Sequence, residues 1–132
     1  MESMAKPSYP ADLLYHPDHD WARVEGDEAT LGVTWYAQDQ LGEVVFFEPP
    51  AVGATLRQGD AYAEVESVKA VSDVLAPLSG EIVAVNDALG ANPAAINADP
   101  YGEGWLVRIR IADPTERAAL MDADAYAASV GG

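Results

Sequence analysis

The chain of 132 residues contains no cysteine, and only two of its residues are lysine, Lys6 and Lys69. Without cysteine there is no disulfide, no zinc–thiolate site and no thiol nucleophile, so any sulfur redox chemistry needs an attached group. Positive charge is scarce throughout. Arg23, Arg57, Arg108, Arg110 and Arg117 bring the basic total to 7 against 22 acidic residues, a formal net charge of −15. Such a surface does not grip nucleic acid, which needs clustered Lys and Arg on the phosphates. It is not drawn to an anionic membrane either. No apolar run approaches the roughly 20 residues of a transmembrane helix. The N-terminal MESMAKPSYPADLLY shows neither an apolar signal core nor an Arg-rich transit pattern. The expected location is therefore cytoplasmic, with a processed organellar matrix form as the alternative. The hydrophobic fraction of 49 % is ample for a packed core, so the acidity does not signal disorder.

Pro7 and Pro10 in a polar setting mark residues 1–12 as a flexible leader, and 13–132 reads as a single domain. Gly and Pro then recur at short intervals. Between them lie β-favouring runs: Trp21–Val24, Ala29–Val33, Glu43–Phe47, Ala61–Val65, Val71–Leu75, Glu81–Val85 and Trp105–Ile111. Many short strands between turn signals suggest a small all-β sandwich or barrel. Three helical segments interrupt them. Thr34 is placed to cap a helix ending at Leu41, with Gly42 as its C′ residue. Asn92-Pro93 opens one turn through Ile96. Asp113-Pro114-Thr115-Glu116 has the order of a cap, an N1 proline and an N3 glutamate. The Ala-rich tail from Arg117 to Val130 is expected to be helical, with Asp122 a second cap candidate that would allow a bend. A faint repeat links Val52–Asp60 with Leu78–Asp87, too slight to carry a fold.

The segment around Lys69 is ambiguous by pattern. Val65, Val68, Val71 and Val74 recur every three residues, as on an amphipathic helix. So many valines favour a strand. One straight strand fits poorly, because the apolar positions change parity between Val65 and Val68. A hairpin turning near Lys69 resets the parity and lets both arms bury valines on one face. With no Asn-Gly or Asp-Gly present, that turn would be type I. The plain reading of Lys69 is a solvated surface lysine, as most are. It is nonetheless the one lysine inside the expected domain.

Glu66-Ser67-Val68-Lys69-Ala70-Val71-Ser72-Asp73 resembles the lipoyl-lysine motif of the glycine cleavage system H protein family. His19-Asp20-Trp21 resembles the family's His-Glu-Trp. Leu31-Gly32-Val33-Thr34-Trp35-Tyr36-Ala37-Gln38 and Leu41-Gly42-Glu43-Val44-Val45 resemble its Gly-Ile-Thr-x-Tyr-Ala-Gln block. Ala76-Pro77-Leu78-Ser79-Gly80, Val85-Asn86, Ile96-Asn97-Ala98-Asp99-Pro100-Tyr101-Gly102, Gly104-Trp105-Leu106 and Leu120–Tyr126 follow in order. Asp20 for Glu, Trp35, and the doubled Pro49-Pro50 depart from the pattern, but none touches the lysine segment.

The resemblance implies a mainly β fold, a flattened barrel-sandwich hybrid of two quasi-repeated halves with short helices and a C-terminal helical extension. It implies a non-catalytic carrier whose Lys69, at a hairpin tip, is amide-linked to lipoic acid. Glu66, Ser67, Val68 and Ala70 would form the hairpin recognised by a lipoate-attaching enzyme. The implied partners are a pyridoxal-phosphate glycine decarboxylase, a tetrahydrofolate-dependent aminomethyltransferase and a flavin-dependent dihydrolipoyl dehydrogenase. Asp18, Asp20 and Asp73 would line a cleft for the loaded arm and pair with its cationic amine. Their plain reading is solvated surface acid, since exposed ion pairs are weak.

Other readings are weaker. His16-Pro17-Asp18-His19-Asp20 has metal-ligand residue types, but a proline-containing loop breaks the spacing, and no metal is expected. No Gly-x-Ser-x-Gly elbow supports a hydrolase. A biotin carrier would place its lysine between methionines, where Val68 and Ala70 stand. A 2-oxoacid dehydrogenase lipoyl domain usually has an Asp-Lys-Ala tip. An H protein-like lipoate carrier for sulfur oxidation or lipoate relay shares the same hairpin and stays open as the alternative.

Overall fold

The structure is a computed structural model, and it describes residues 9–130. Its strands are β1 (Leu14–His16), β2 (Asp20–Glu25), β3 (Glu28–Val33), β4 (Val44–Glu48), β5 (Thr55–Leu56), β6 (Ala61–Ser67), β7 (Val71–Leu75), β8 (Gly80–Val85) and β9 (Val107–Ile111). Its helices are α1 (Trp35–Leu41), α2 (Ala95–Ala98) and α3 (Ala123–Ser129), with 3-10 turns at Asp87–Gly90 and Pro114–Ala119. Every strand pairing is antiparallel. One sheet runs β1-β2-β3-β9-β8-β5 and a second runs β4-β6-β7. Among the described residues no ladder closes the two into a barrel. Their inner faces share one core, in which Leu31, Ile82, Val107 and Ile109 of the large sheet join Val44, Phe47, Val65 and Val74 of the small one.

Alternation explains which faces meet. In β9, Val107 and Ile109 are buried while Arg108 and Arg110 are exposed, a period-2 pattern of a half-covered sheet. All seven runs read as strands from the sequence form strands. β1 and β5 went unread because stretches of two or three residues carry no period. They exist through pairing: Tyr15 lies opposite Trp21 and Leu56 opposite Gly80.

Thr34 caps α1 as its hydroxyl accepts the Ala37 N–H, and Gly42 ends it at φ 82°, in the left-handed region that glycine enters freely. The other helical expectations shift. α2 begins at Ala95, beyond Asn92-Pro93, and its first residues carry no side-chain cap. Asp113 caps its turn through Thr115, but Glu116 completes no reciprocal box. Its carboxylate instead accepts from Ser79 N–H and Oγ–H, both at 2.7 Å, fixing the 77–80 turn against the tail. Nor is the tail one helix. Leu120 is extended, and Met121 exchanges both backbone hydrogen bonds with Tyr15 at 2.8 Å. Two backbone hydrogen bonds to β1 replace the helical turn there, and Asp122 then caps α3. Tyr126 of α3 stacks on Tyr15, with ring centroids 4.8 Å apart.

Of the expected leader, residues 1–8 lie outside the described residues. Tyr9 stands edge-on to Tyr15 and Tyr126, and the Tyr15 hydroxyl donates to Pro10 O at 2.7 Å. Packing therefore reaches back ahead of Leu13.

Gly32 sits in mid-strand opposite Trp21. A Cβ there would lie 2.5 Å from the indole. That ring is fully buried, and its Nε1–H donates to Pro100 O at 3.1 Å, so it cannot yield. Gly32→Ala is expected to destabilise the fold by about 1–3 kcal/mol, the usual cost of overpacking. Urea unfolding should show a lower midpoint with unchanged slope; an unchanged midpoint would mean the indole can move.

Candidate functional site

Lys69 is exposed at the turn between β6 and β7. Val65 and Val74 face the core, as a hairpin requires, but Val68 and Val71 are 69 % and 60 % exposed. The expectation that both arms bury their valines therefore holds for only one valine on each. The turn is not closed by backbone alone. The buried Ser67 hydroxyl accepts from the N–H groups of Lys69 and Ala70, at 3.2 and 3.1 Å, while Ser67 N–H donates to Ala70 O. A serine at this position substitutes for a turn carbonyl. Glu66 is half-buried, and Val68 and Ala70 are exposed.

A shelf supports the turn from below. Val68 N–H donates to Glu43 O at 3.1 Å. The Lys69 stem lies over Gly42, its Cε 3.5 Å from where a Cβ would stand. Asn97 of α2 holds this shelf with three hydrogen bonds. Its Oδ1 accepts Val44 N–H at 2.8 Å, and its Nδ2 donates to Gly42 O and to Gln38 Oε1, at 2.8 and 3.0 Å.

Beside the hairpin opens a cleft of about 340 Å³. Asp18, Asp20 and Asp73 all line it, with Tyr36 from α1 and Ser72 from β7. The three carboxylates are not equivalent. Asp20 is buried, and its Oδ2 has no hydrogen-bond partner. Burial pushes its pKa well above the ordinary carboxylate value, and the charge of Asp18 adds to the shift. Asp18 and Asp73 are exposed. Asp18 N–H donates to His16 Nδ1 at 3.1 Å, and Asp18 Oδ2 lies 3.4 Å from the same nitrogen.

His19, at φ 75°, leans on Tyr36 with centroids 4.7 Å apart. Burial lowers its pKa against the opposing charge of Asp18. Its Nδ1 shares a hydrogen bond with the Tyr126 hydroxyl at 2.8 Å, and that hydroxyl shares a second with Thr34 Oγ1, also at 2.8 Å. The C-terminal helix thereby ties the histidine loop to the cap of α1. Among the described residues no three His, Cys, Asp or Glu side chains converge as metal ligands. Sequence reasoning missed the wall contributed by α1, Tyr36 to Leu41, because nothing local links it to residues 70–74. It also missed what Asn97 does, although Asn97 lies in a quoted motif.

Asn97→Ala leaves Val44 N–H and Gly42 O without partners, at an expected cost of about 1–3 kcal/mol. Amide exchange at Val44 and Val68 should accelerate while β2 and β3 keep their protection. Uniform acceleration across both sheets would contradict a local shelf.

The family model for the glycine cleavage H-protein matches residues 13–131. The glycine cleavage system H protein of Symbiobacterium thermophilum is 52 % identical over 117 residues, 89 % of this chain and 91 % of the relative. That of Bradyrhizobium diazoefficiens is 54 % identical over 115 residues, covering 87 % and 94 %. The solved glycine cleavage system H protein of Mycobacterium marinum superposes with a TM-score of 0.83 at 39 % identity, covering 93 % of this chain and 99 % of that one. With an exposed lysine on a braced hairpin and this likeness over nearly its whole length, the chain belongs to the glycine cleavage H-protein family, the lipoyl carriers of that system and not its enzymes.

Proposed function

We propose that Lys69 is amide-linked to lipoic acid and that the cleft beside it shelters the loaded arm. The observation that carries this reading is the placement of an exposed lysine on a braced tip, directly beside a cleft holding an unpartnered, buried carboxylate oxygen. The flexible four-carbon stem of lysine gives reach, and its amine forms a stable amide. The shelf under the turn gives that stem a fixed base. The dithiolane supplies the exchangeable sulfur that this cysteine-free chain lacks.

The chain's own residues do the holding. A cationic amine entering the cleft would meet the wall that Asp20 helps form, and its charge would favour the ionised carboxylate that burial otherwise disfavours. Asp18 and Asp73 add negative potential at the rim. The carrier would receive the aminomethyl group from the glycine decarboxylase, yield it to the aminomethyltransferase and be reoxidised by dihydrolipoyl dehydrogenase. The bacterial sources of the relatives support a cytoplasmic setting.

Two measurements test this. The intact mass of the chain from lipoate-replete cells should carry one lipoyl increment, mapped to Lys69 and absent in Lys69→Arg. A biotinyl increment or an unmodified lysine would refute the assignment. Asp20→Asn with Asp73→Asn should shorten the half-life of the aminomethyl group on the isolated carrier several-fold. An equal half-life would remove the carboxylates from the reading.

A further inference from the structure

Among the described residues, the exposed large apolar side chains are Val45, Phe46, Val52, Val68 and Val71. All but Val52 gather on the β4-β6-β7 sheet around Lys69. On a regular strand Val45 and Phe46 would point to opposite faces. The register slips between Val44 and Phe46, so Val45 is a bulge residue, and the two are 46 % and 45 % exposed. Bulges re-aim side chains in this way. Phe46 stands opposite Glu66, and Glu66 opposite Val71, forming one row across the sheet.

The next row on the same face is entirely acidic. Glu48 stands opposite Glu64, and Glu64 opposite Asp73, all exposed. Like charges directly opposite one another weaken a sheet. A groove of about 350 Å³ runs over this row, lined also by Pro49 and the exposed Ala61. Exposed Phe46 and Val71 flanking Glu66, beside a self-repelling acidic row, cost the isolated chain stability, and a cationic partner would relieve the repulsion.

We propose that this outer face docks the enzyme that attaches the lipoyl group, through apolar side chains laid over Val45, Phe46 and Val71 and Lys or Arg side chains laid along Glu48, Glu64 and Asp73. The proposal rests on the reading of Lys69 as the lipoyl site. It commits to the attaching enzyme because that enzyme must bring its chemistry to Nζ itself, at the base of the arm, and so must sit on the surface around the lysine. Enzymes that use the finished arm meet its far end. In the step served, Nζ bonds to the carbonyl carbon of an activated lipoyl ester or anhydride. The activating group leaves, and the amine proton passes to solvent.

The test follows the mass of the unlipoylated chain with purified lipoate-attaching enzyme, lipoate and ATP. The Val45→Thr/Phe46→Thr and Glu48→Gln/Glu64→Gln pairs should each raise KM for the carrier about tenfold, as loss of interface anchors does. Their unfolding midpoints should not fall. The Gln pair should also flatten the rise of KM with salt. Lipoylated wild type with unaffected variants overturns the docking surface alone. So does normal lipoylation of the variants with slowed loading by the decarboxylase, since that assigns the face to another enzyme. A wild-type chain that gains no lipoyl mass overturns the Lys69 reading and this surface with it.

Discussion

The arrangement around Lys69 depends on one side chain, the amide of Asn97. It satisfies Val44 N–H, Gly42 O and Gln38 Oε1 at once, and so joins the end of α1, the glycine that follows it and the first residue of β4. Val44 N–H and Gly42 O would otherwise be strand-end and helix-end orphans, expensive when buried. Because that corner is fixed, Glu43 O is presented to Val68 N–H and the lysine stem has Gly42 beneath it. The hairpin is thus braced at its root and exposed at its tip.

A second constraint is the management of negative charge. The fold carries far more acid than base, yet most of its carboxylates are solvent-exposed, where repulsion is screened. Asp20 is the exception. Its burial is costly for a charged carboxylate, and a nearby cation would offset that cost. The same logic operates in weaker form on the outer face, where Glu48, Glu64 and Asp73 face each other across the ladder. Asp73 belongs to both surfaces, lining the cleft and the groove. The cleft and the docking face therefore meet at the foot of the lysine arm.

Much of this was legible in the sequence, for identifiable reasons. Seven strand runs were readable because each alternates or is β-branched between Gly and Pro breaks. The α1 cap was readable because Thr34 and Gly42 act within one turn of the helix. Expectations strayed where a distant partner outbid the local one. Glu116 left its capping box for Ser79, and Met121 left the helix for Tyr15. The parity of its valines admitted a hairpin without deciding it against a helix, and its closure by the Ser67 hydroxyl was not legible, since type I geometry accepts nearly any residue.

The sequence by itself determined the strand-rich class, the absence of thiol chemistry, the acidic surface and, through collinear motifs, the family. These follow from composition and short-range pattern, which the chain carries whatever its fold. Only the tertiary structure decided that Asp18, Asp20 and Asp73 share one cleft, that α1 walls it and that Val45 and Phe46 face outward together. Those outcomes depend on strand register and on which buried groups lack partners. Both are set by contacts between residues far apart in the chain, and no local pattern encodes them.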